Sequence, residues 1–96
     1  MTHREMYRIT LACDGVPAAE GDEAANEIAH EFRDHRSHHS DVSCSYAGGT
    51  LTLVAENDFD PCGLALLDEF GDCLSAYLRG WDGGIRLISV VAIHAS

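Results

Sequence analysis

The stretch LTLVAENDFDPCGLALLDEFGDCLSAYL, residues 51–78, decides the fold. Its first five residues are apolar except for Thr52 and predict a strand, and the acidic turn 56–60 separates this strand from a helix that we expect to begin at Pro61. Proline suits the first helical position because its missing N–H has no partner there, and Asp60 can cap the free amides. This strand and this helix therefore form the predicted core.

One half of the predicted helix is apolar. At 100° per residue, this half carries Leu66, Leu67, Phe70, Cys73, Leu74, Tyr77 and Leu78. The other half is polar, so the apolar half should lie on a sheet. Gly71 lies in the apolar half, where glycine costs about 1 kcal/mol relative to alanine. We therefore expect the helix to approach the strands closely at Gly71.

Three further elements are indicated by periodicity. In residues 6–13 the odd positions are all apolar and the even positions include Arg8 and Thr10, which is typical of a strand with one face on the core. Residues 18–35 have apolar side chains at helical spacing, so they predict a helix. Residues 85–94 predict a last strand that is apolar on both faces, with Leu87 on one face and Ile88 and Val90 on the other.

A hairpin is predicted around Gly48 and Gly49. The residues before this pair and after it alternate between apolar and polar side chains, as two antiparallel strands would. With the two glycines as the turn, both strands place their apolar sets on one side. The predicted pairs are Tyr46 with Leu51, Cys44 with Leu53, and Val42 with Ala55.

The order strand, helix, strand, strand, helix, strand resembles the ferredoxin-like α/β plait. The resemblance implies an α+β fold with a four-stranded antiparallel sheet, in which strands one and three are central and both helices cover one face. Acylphosphatases share this topology, but their phosphate loop needs an arginine after the first strand, and residues 14–20 contain none. A fold of this kind does not by itself indicate a function.

Composition limits the domain number and the partners. With 96 residues and 46% hydrophobic content, we expect a single domain spanning 1–96. The net charge of -10 disfavours direct contact with nucleic acids and with anionic membranes. Because no apolar run is long enough for a membrane span and the N-terminus lacks a signal-peptide pattern, we expect a cytoplasmic protein. The four cysteines lack metal-ligand spacing and are predicted to be reduced.

The densest group of potential metal ligands is His35, His38 and His39. Neutral imidazoles bind zinc, nickel or copper, and these three side chains could converge where the first helix ends. The alternative is a solvated loop whose histidines interact with the negative end of the helix dipole. The sequence predicts no cofactor besides a metal ion at these histidines. It also contains no recognised catalytic motif.

The leading functional hypothesis is a small, non-enzymatic interaction or assembly module that self-associates through its sheet. The predicted interface comprises Met6, Val54, Ile88 and Val90, which would form an apolar patch on the face without helices. One alternative is an acidic inhibitor or immunity-type protein that binds a basic partner, because acidic residues cluster on the first helix. Another is a small-molecule-binding protein or enzyme with a pocket between the sheet and the helices.

Overall fold

The computed structural model describes residues 4–81 and 83–95. The fold is α+β, and its elements are β1 (Arg4–Cys13), α1 (Ala18–His35), β2 (Ser40–Ala47), β3 (Thr50–Asn57), α2 (Leu64–Tyr77) and β4 (Ile85–Ala95). The strands form one antiparallel sheet in the order β2-β3-β1-β4. This order and the βαββαβ connectivity are consistent with the predicted ferredoxin-like plait.

The hairpin turns at Gly48 and Gly49, whose φ angles of 57° and 85° lie in the region that glycine adopts without steric cost. The predicted pairs of Tyr46 with Leu51 and Cys44 with Leu53 are confirmed. The ladder gives no partner for Val42, because its register shifts between Ser40 and Ser43, so the predicted pairing of Val42 with Ala55 stays a prediction. Asp41, within this irregularity, has a φ of 47°.

Helix α2 begins three residues later than predicted, at Leu64 rather than at Pro61. The reason is a turn in which the Gly63 N–H donates to the Asp60 carbonyl at 3.2 Å and Gly63 adopts a φ of 74°. The predicted capping role of Asp60 is confirmed, since its carboxylate accepts the N–H groups of Ala65 at 3.2 Å and Leu66 at 3.0 Å.

The core lies between one face of the sheet and both helices. Side chains that are wholly inaccessible to solvent come from β1, β3, α1 and α2, and they include Ile9, Leu11, Leu51, Leu53, Ile28, Phe32, Leu66, Phe70 and Leu74. Trp81 packs on the margin of this core, so it is not a fully exposed anchor. In the part of the chain that the structure describes, no helix has the length and apolar character needed to cross a membrane.

Strand β4 contains a bulge that reverses the predicted faces of its second half. Thr10 pairs with Ser89 but Leu11 pairs with Leu87, which leaves Ile88 as the extra residue. Since residues directly opposite each other in a ladder share a face, Val90 lies beside Ile9 on the helix side. The predicted position of Val90 on the open face is therefore wrong.

The predicted close approach of α2 to the sheet at Gly71 is also wrong. A Cβ atom at Gly71 would meet only Ile85 Cδ1, at an ordinary contact distance of 3.7 Å. The close approach occurs instead at Gly21 of α1, where a Cβ atom would lie 2.4 Å from the Tyr46 ring. The hydroxyl of Tyr46 donates to the Val16 carbonyl at 2.7 Å, so the ring is held against α1 at this position.

We expect the same substitution at these two helical glycines to change stability in opposite directions. Gly21→Ala should lower the free energy of unfolding by about 1 to 3 kcal/mol, because the methyl group forces the Tyr46 ring to move. Gly71→Ala should raise it by up to about 1 kcal/mol, because alanine is the better helix former and has room. Urea unfolding at one protein concentration measures both changes. Equal changes in the two variants would contradict the packing of α1 on Tyr46.

Candidate functional site

Two histidines follow α1 and lie against α2. The chain leaves α1 at Arg36, whose N–H donates to the Phe32 carbonyl at 3.2 Å, and the His39 N–H then donates to the Arg36 carbonyl at 3.2 Å. This turn buries the imidazole of His39 completely and leaves that of His38 about half exposed, at 48%. The two rings lie 4.2 Å apart between centroids.

Glu69 of α2 joins the two histidines. One carboxylate oxygen, Oε1, lies 2.9 Å from His38 Nε2, and the other, Oε2, is hydrogen-bonded to His39 Nε2. The Arg36 guanidinium lies 3.4 Å from Oε1 and also pairs with Glu31 at 3.6 Å. One carboxylate therefore ties the segment after α1 to the first half of α2.

Asn57, the last residue of β3, holds His39 from the other side. The Asn57 side-chain nitrogen Nδ2 lies 3.2 Å from His39 Nδ1. The Asn57 oxygen Oδ1 accepts the N–H groups of Phe59 at 3.2 Å and Asp60 at 3.0 Å. Asn57 is 1% exposed, so both ends of its amide are used inside the protein.

The structure brings two of the three predicted metal ligands together. Among the described residues, one group could hold a metal ion, comprising His38, His39 and Glu69, whose ligand atoms all lie within 4.8 Å of one another. His35 is not part of this group and is exposed at the end of α1. The alternative of a solvated loop is wrong for His39, because its side chain is 0% exposed.

Sequence reasoning missed Glu69, which it placed on the polar half of α2. Its carboxylate is only 19% exposed because the turn after α1 covers it. Burial alone would raise the pKa of Glu69, but the hydrogen bonds and charges of His39 and His38 outweigh burial and hold this pKa below its usual value. No local pattern in α2 distinguishes Glu69 from Asp68.

We expect Glu69→Gln to lower the free energy of unfolding at pH 7 by about 1.5 to 3 kcal/mol, because it removes a charged acceptor that serves several donors. Asp68→Asn is the matched control, since it removes the same charge from an exposed neighbouring position. Because folding lowers the pKa of Glu69, its contribution is complete above the unfolded pKa of about 4.3 and disappears as the pH falls through the folded pKa.

Urea titrations between pH 7 and pH 3 measure this dependence. The stability difference between wild type and Glu69→Gln should shrink as the pH falls from about 5 to 3. A difference that does not shrink in this range, or one that at pH 7 is no larger than that of Asp68→Asn, would contradict the role of Glu69.

The four cysteines are all free in the structure. Burial raises the pKa of Cys44 to about 12 and the pKa of Cys73 to about 11, which keeps both thiols protonated at neutral pH. Cys13 is also buried, and burial raises its pKa, whereas Cys62 is exposed in the turn before α2. The buried thiols are therefore unsuited to nucleophilic chemistry.

The sheet face opposite the helices carries four apolar side chains, Met6, Val54, Val91 and Ile93, which we call the open-face patch. Thr10 and the Arg8–Glu56 ion pair lie between Val54 and the other three. The ladder places Ile93 opposite Met6, and Val91 opposite Arg8, which is the sheet neighbour of Glu56. Val91 is 48% exposed, and the other three side chains are partly exposed. Met6 and Val54 therefore lie on the predicted face, and Val91 and Ile93 lie there instead of Val90. The fourth predicted residue, Ile88, is the unpaired residue of the bulge and is 49% exposed.

Two ion pairs lie among the described charged groups of the open face. Arg8 Nε lies 2.9 Å from a carboxylate oxygen of Glu56, which is itself 8% exposed. Arg86 Nε lies 2.6 Å from an Asp14 oxygen, and Arg86 holds the pKa of Asp14 below its usual value. These four residues together therefore contribute nothing to the net charge of -10.

The helix layer is acidic by contrast. Helices α1 and α2 together carry nine of the sixteen acidic residues and one arginine. Between the first half of α1 and the end of α2 lies an open cleft of about 660 Å³, whose lining includes Glu20, Glu23, Glu27 and Arg79. This cleft lies between the helices, whereas the sequence predicted a pocket between the sheet and the helices.

The histidine cluster and the open-face patch thus offer different chemistry. The cluster combines a buried imidazole with a carboxylate, and the patch offers apolar side chains on a face that also carries two ion pairs.

No protein-family model matches this chain, no curated protein matches it, and no solved structure matches it.

Proposed function

We propose that this chain is a small, non-enzymatic interaction module with a ferredoxin-like plait, and that it self-associates by stacking the open faces of two sheets. The observation that carries the proposal is the open-face patch of Met6, Val54, Val91 and Ile93. An apolar patch on a sheet face that no described element covers is the usual mark of a contact surface. Such a module would work in the cytoplasm, where its thiols stay reduced.

Charge favours a second copy of this chain as the partner on this face. Two copies that met through their helix layers would bring nine acidic residues from each against one another. On the open face, Arg8 pairs with Glu56 and Arg86 pairs with Asp14, so two such faces can approach without net repulsion. A twofold axis through the patch would place the same residues on both sides of the contact.

Both edges of the sheet are unsuited to pairing with another chain. The edge strand β4 is interrupted by the bulge at Ile88, and the other edge strand, β2, is interrupted between Ser40 and Ser43. Bulges at sheet edges disfavour edge-to-edge pairing because they break the ladder that an added strand would continue. Face-to-face stacking is therefore the better mode for a homodimer.

Light scattering coupled to size exclusion tests the proposal. We expect untagged protein at micromolar concentration to elute with twice the 10.4 kDa mass of one chain. Since the proposed contact is apolar, the mass should be unchanged in 1 M NaCl. A mass of one chain throughout the micromolar range would overturn the proposal.

A second candidate function is the binding of a basic protein by the helix layer. It is favoured by the concentration of nine acidic residues on α1 and α2, which leaves the open face nearly neutral. Association of this kind would be fast and would weaken as salt rises. It becomes the leading function if the protein is monomeric and if a basic protein copurifies with it at low salt but not at high salt.

A further inference from the structure

We infer that Asn57 decides the chemistry of the histidine cluster: it fixes His39 as a hydrogen-bond donor to Glu69 and thereby closes the cluster to divalent metal ions. The inference is independent of the proposed self-association, because the cluster lies on the helix side. It rests on which groups donate and which accept around the His39 ring.

The orientation of the Asn57 amide follows from its backbone partners. Two N–H groups, those of Phe59 and Asp60, point at one end of the side chain at 3.2 Å and 3.0 Å. An N–H can donate only to an acceptor, so this end must be the oxygen Oδ1. The other end, which faces His39 Nδ1 at 3.2 Å, must be the NH2 group.

The proton position on His39 follows in turn. Because the Asn57 NH2 group can only donate, His39 Nδ1 must accept and therefore carries no proton. The neutral ring then holds its proton on Nε2, which faces the Glu69 carboxylate. Donors and acceptors alternate from the two backbone amides through Asn57 and His39 to Glu69.

Metal binding needs the opposite proton arrangement. A metal ion held between His39 and Glu69 would occupy Nε2, so the ring proton would move to Nδ1 and point at the Asn57 NH2 group. Two donors would then face each other in a buried site. Histidines that bind metals instead donate this second N–H to a carboxylate or carbonyl oxygen. Turning the Asn57 amide over does not help, because the N–H groups of Phe59 and Asp60 would then face its NH2 end.

A single substitution should remove the obstacle. Asn57→Asp keeps one oxygen for the two backbone N–H groups and places a second oxygen opposite His39 Nδ1. The ring can then carry its proton on Nδ1 and offer the Nε2 lone pair to a cation beside Glu69 and His38. The structure thus assigns to Asn57 a positioning role, in which it acts on ligands through the tautomer of His39.

Two measurements test this inference on the untagged protein. In the first, the nitrogen chemical shifts of the imidazoles in wild type at pH 7.5 report the tautomer, and we expect His39 to carry its proton on Nε2. In the second, calorimetric titration with ZnCl2 should show no stoichiometric site in wild type. For Asn57→Asp it should show one ion per chain, bound at least about 10-fold more tightly than by wild type.

Two control variants separate a built site from added charge. Asn57→Asp combined with His39→Gln keeps the new carboxylate but lacks the ligand, so it should lose the gain in zinc affinity. Asn57→Asp combined with His35→Gln should retain that gain, since His35 is outside the group. The inference is overturned if wild type binds stoichiometric zinc that Glu69→Gln loses, if the His39 proton is found on Nδ1, or if the variant with His39→Gln binds as tightly as Asn57→Asp alone. The tautomer measurement needs only wild type, so it decides the matter even if Asn57→Asp does not fold.

Discussion

Val91→Lys should convert the proposed dimer into a monomer. Val91 belongs to the open-face patch and lies on the edge strand β4, opposite Arg8 in the ladder, and a lysine there would place an unpaired ammonium group in an apolar contact. Because of twofold symmetry each interface would contain two such lysines, beside a pair of arginines. We expect the dissociation constant to rise at least about 100-fold, which corresponds to about 2.7 kcal/mol.

Leu87→Lys is the matched control for this prediction. Leu87 lies on the same strand and is also 48% exposed, but it pairs with Leu11 and so lies on the helix side of the sheet. Both variants add the same charge at the same exposure, so a general effect of lysine on β4 would appear in both. Light scattering across a dilution series should show monomers for Val91→Lys and dimers for Leu87→Lys. If the two variants dissociate equally, the open face is not the contact.

The elements of the fold could be predicted from the sequence because each is encoded locally. The alternation in residues 6–13 and the glycine pair at 48 and 49 are patterns of residues only a few positions apart. Strand β1 covers the first pattern, and the turn between β2 and β3 lies at the glycine pair, as expected. Helix α1 runs from Ala18 to His35, as its apolar spacing predicted. Local patterns of this kind are independent of the tertiary structure that later surrounds them.

The faces of β4 could not be predicted in the same way. A strand that is apolar at both odd and even positions can place either set of side chains towards the helices. Its sequence therefore does not reveal where a bulge exchanges the two faces. The extra residue at Ile88 becomes visible only in the ladder with β1, where Thr10 pairs with Ser89 and Leu11 pairs with Leu87. Met6 and Val54 therefore lie on the face where the sequence predicted them, whereas Val90 lies on the opposite face and Ile88 is the bulged residue.

The histidine cluster shows the same limit for a site. The sequence indicated His38 and His39 because they are neighbours in the chain, but Glu69 and Asn57 lie thirty and eighteen positions from His39. Both partners are of types that are common on surfaces and in turns. Their role depends on the distance between α2, the end of β3 and the turn after α1, which no local pattern specifies.

Two leucines of α2 that the sequence places on the same apolar half of the helix should contribute differently to stability. Leu67 and Leu74 are seven residues apart and so lie on nearly the same side of the helix. Leu74 is 0% exposed, whereas Leu67 is only partly buried. The start of α2 lies at the margin of the sheet, where Leu64 and Leu87 remain 66% and 48% exposed, so this end of the helix has little cover.

Leu74→Ala should therefore lower the free energy of unfolding by about 2 to 5 kcal/mol, because it leaves a cavity in a closed core. Leu67→Ala should lower it by about 1 kcal/mol, since solvent fills the space and less apolar area was buried. Urea unfolding at one protein concentration gives both values, and the slope with denaturant should be the same for the two variants. If Leu67→Ala costs as much as Leu74→Ala, the first half of α2 is covered in solution. A second chain that reached round the edge of β4 would provide that cover, and the contact between copies would then include Leu64 and Leu87 as well as the open face.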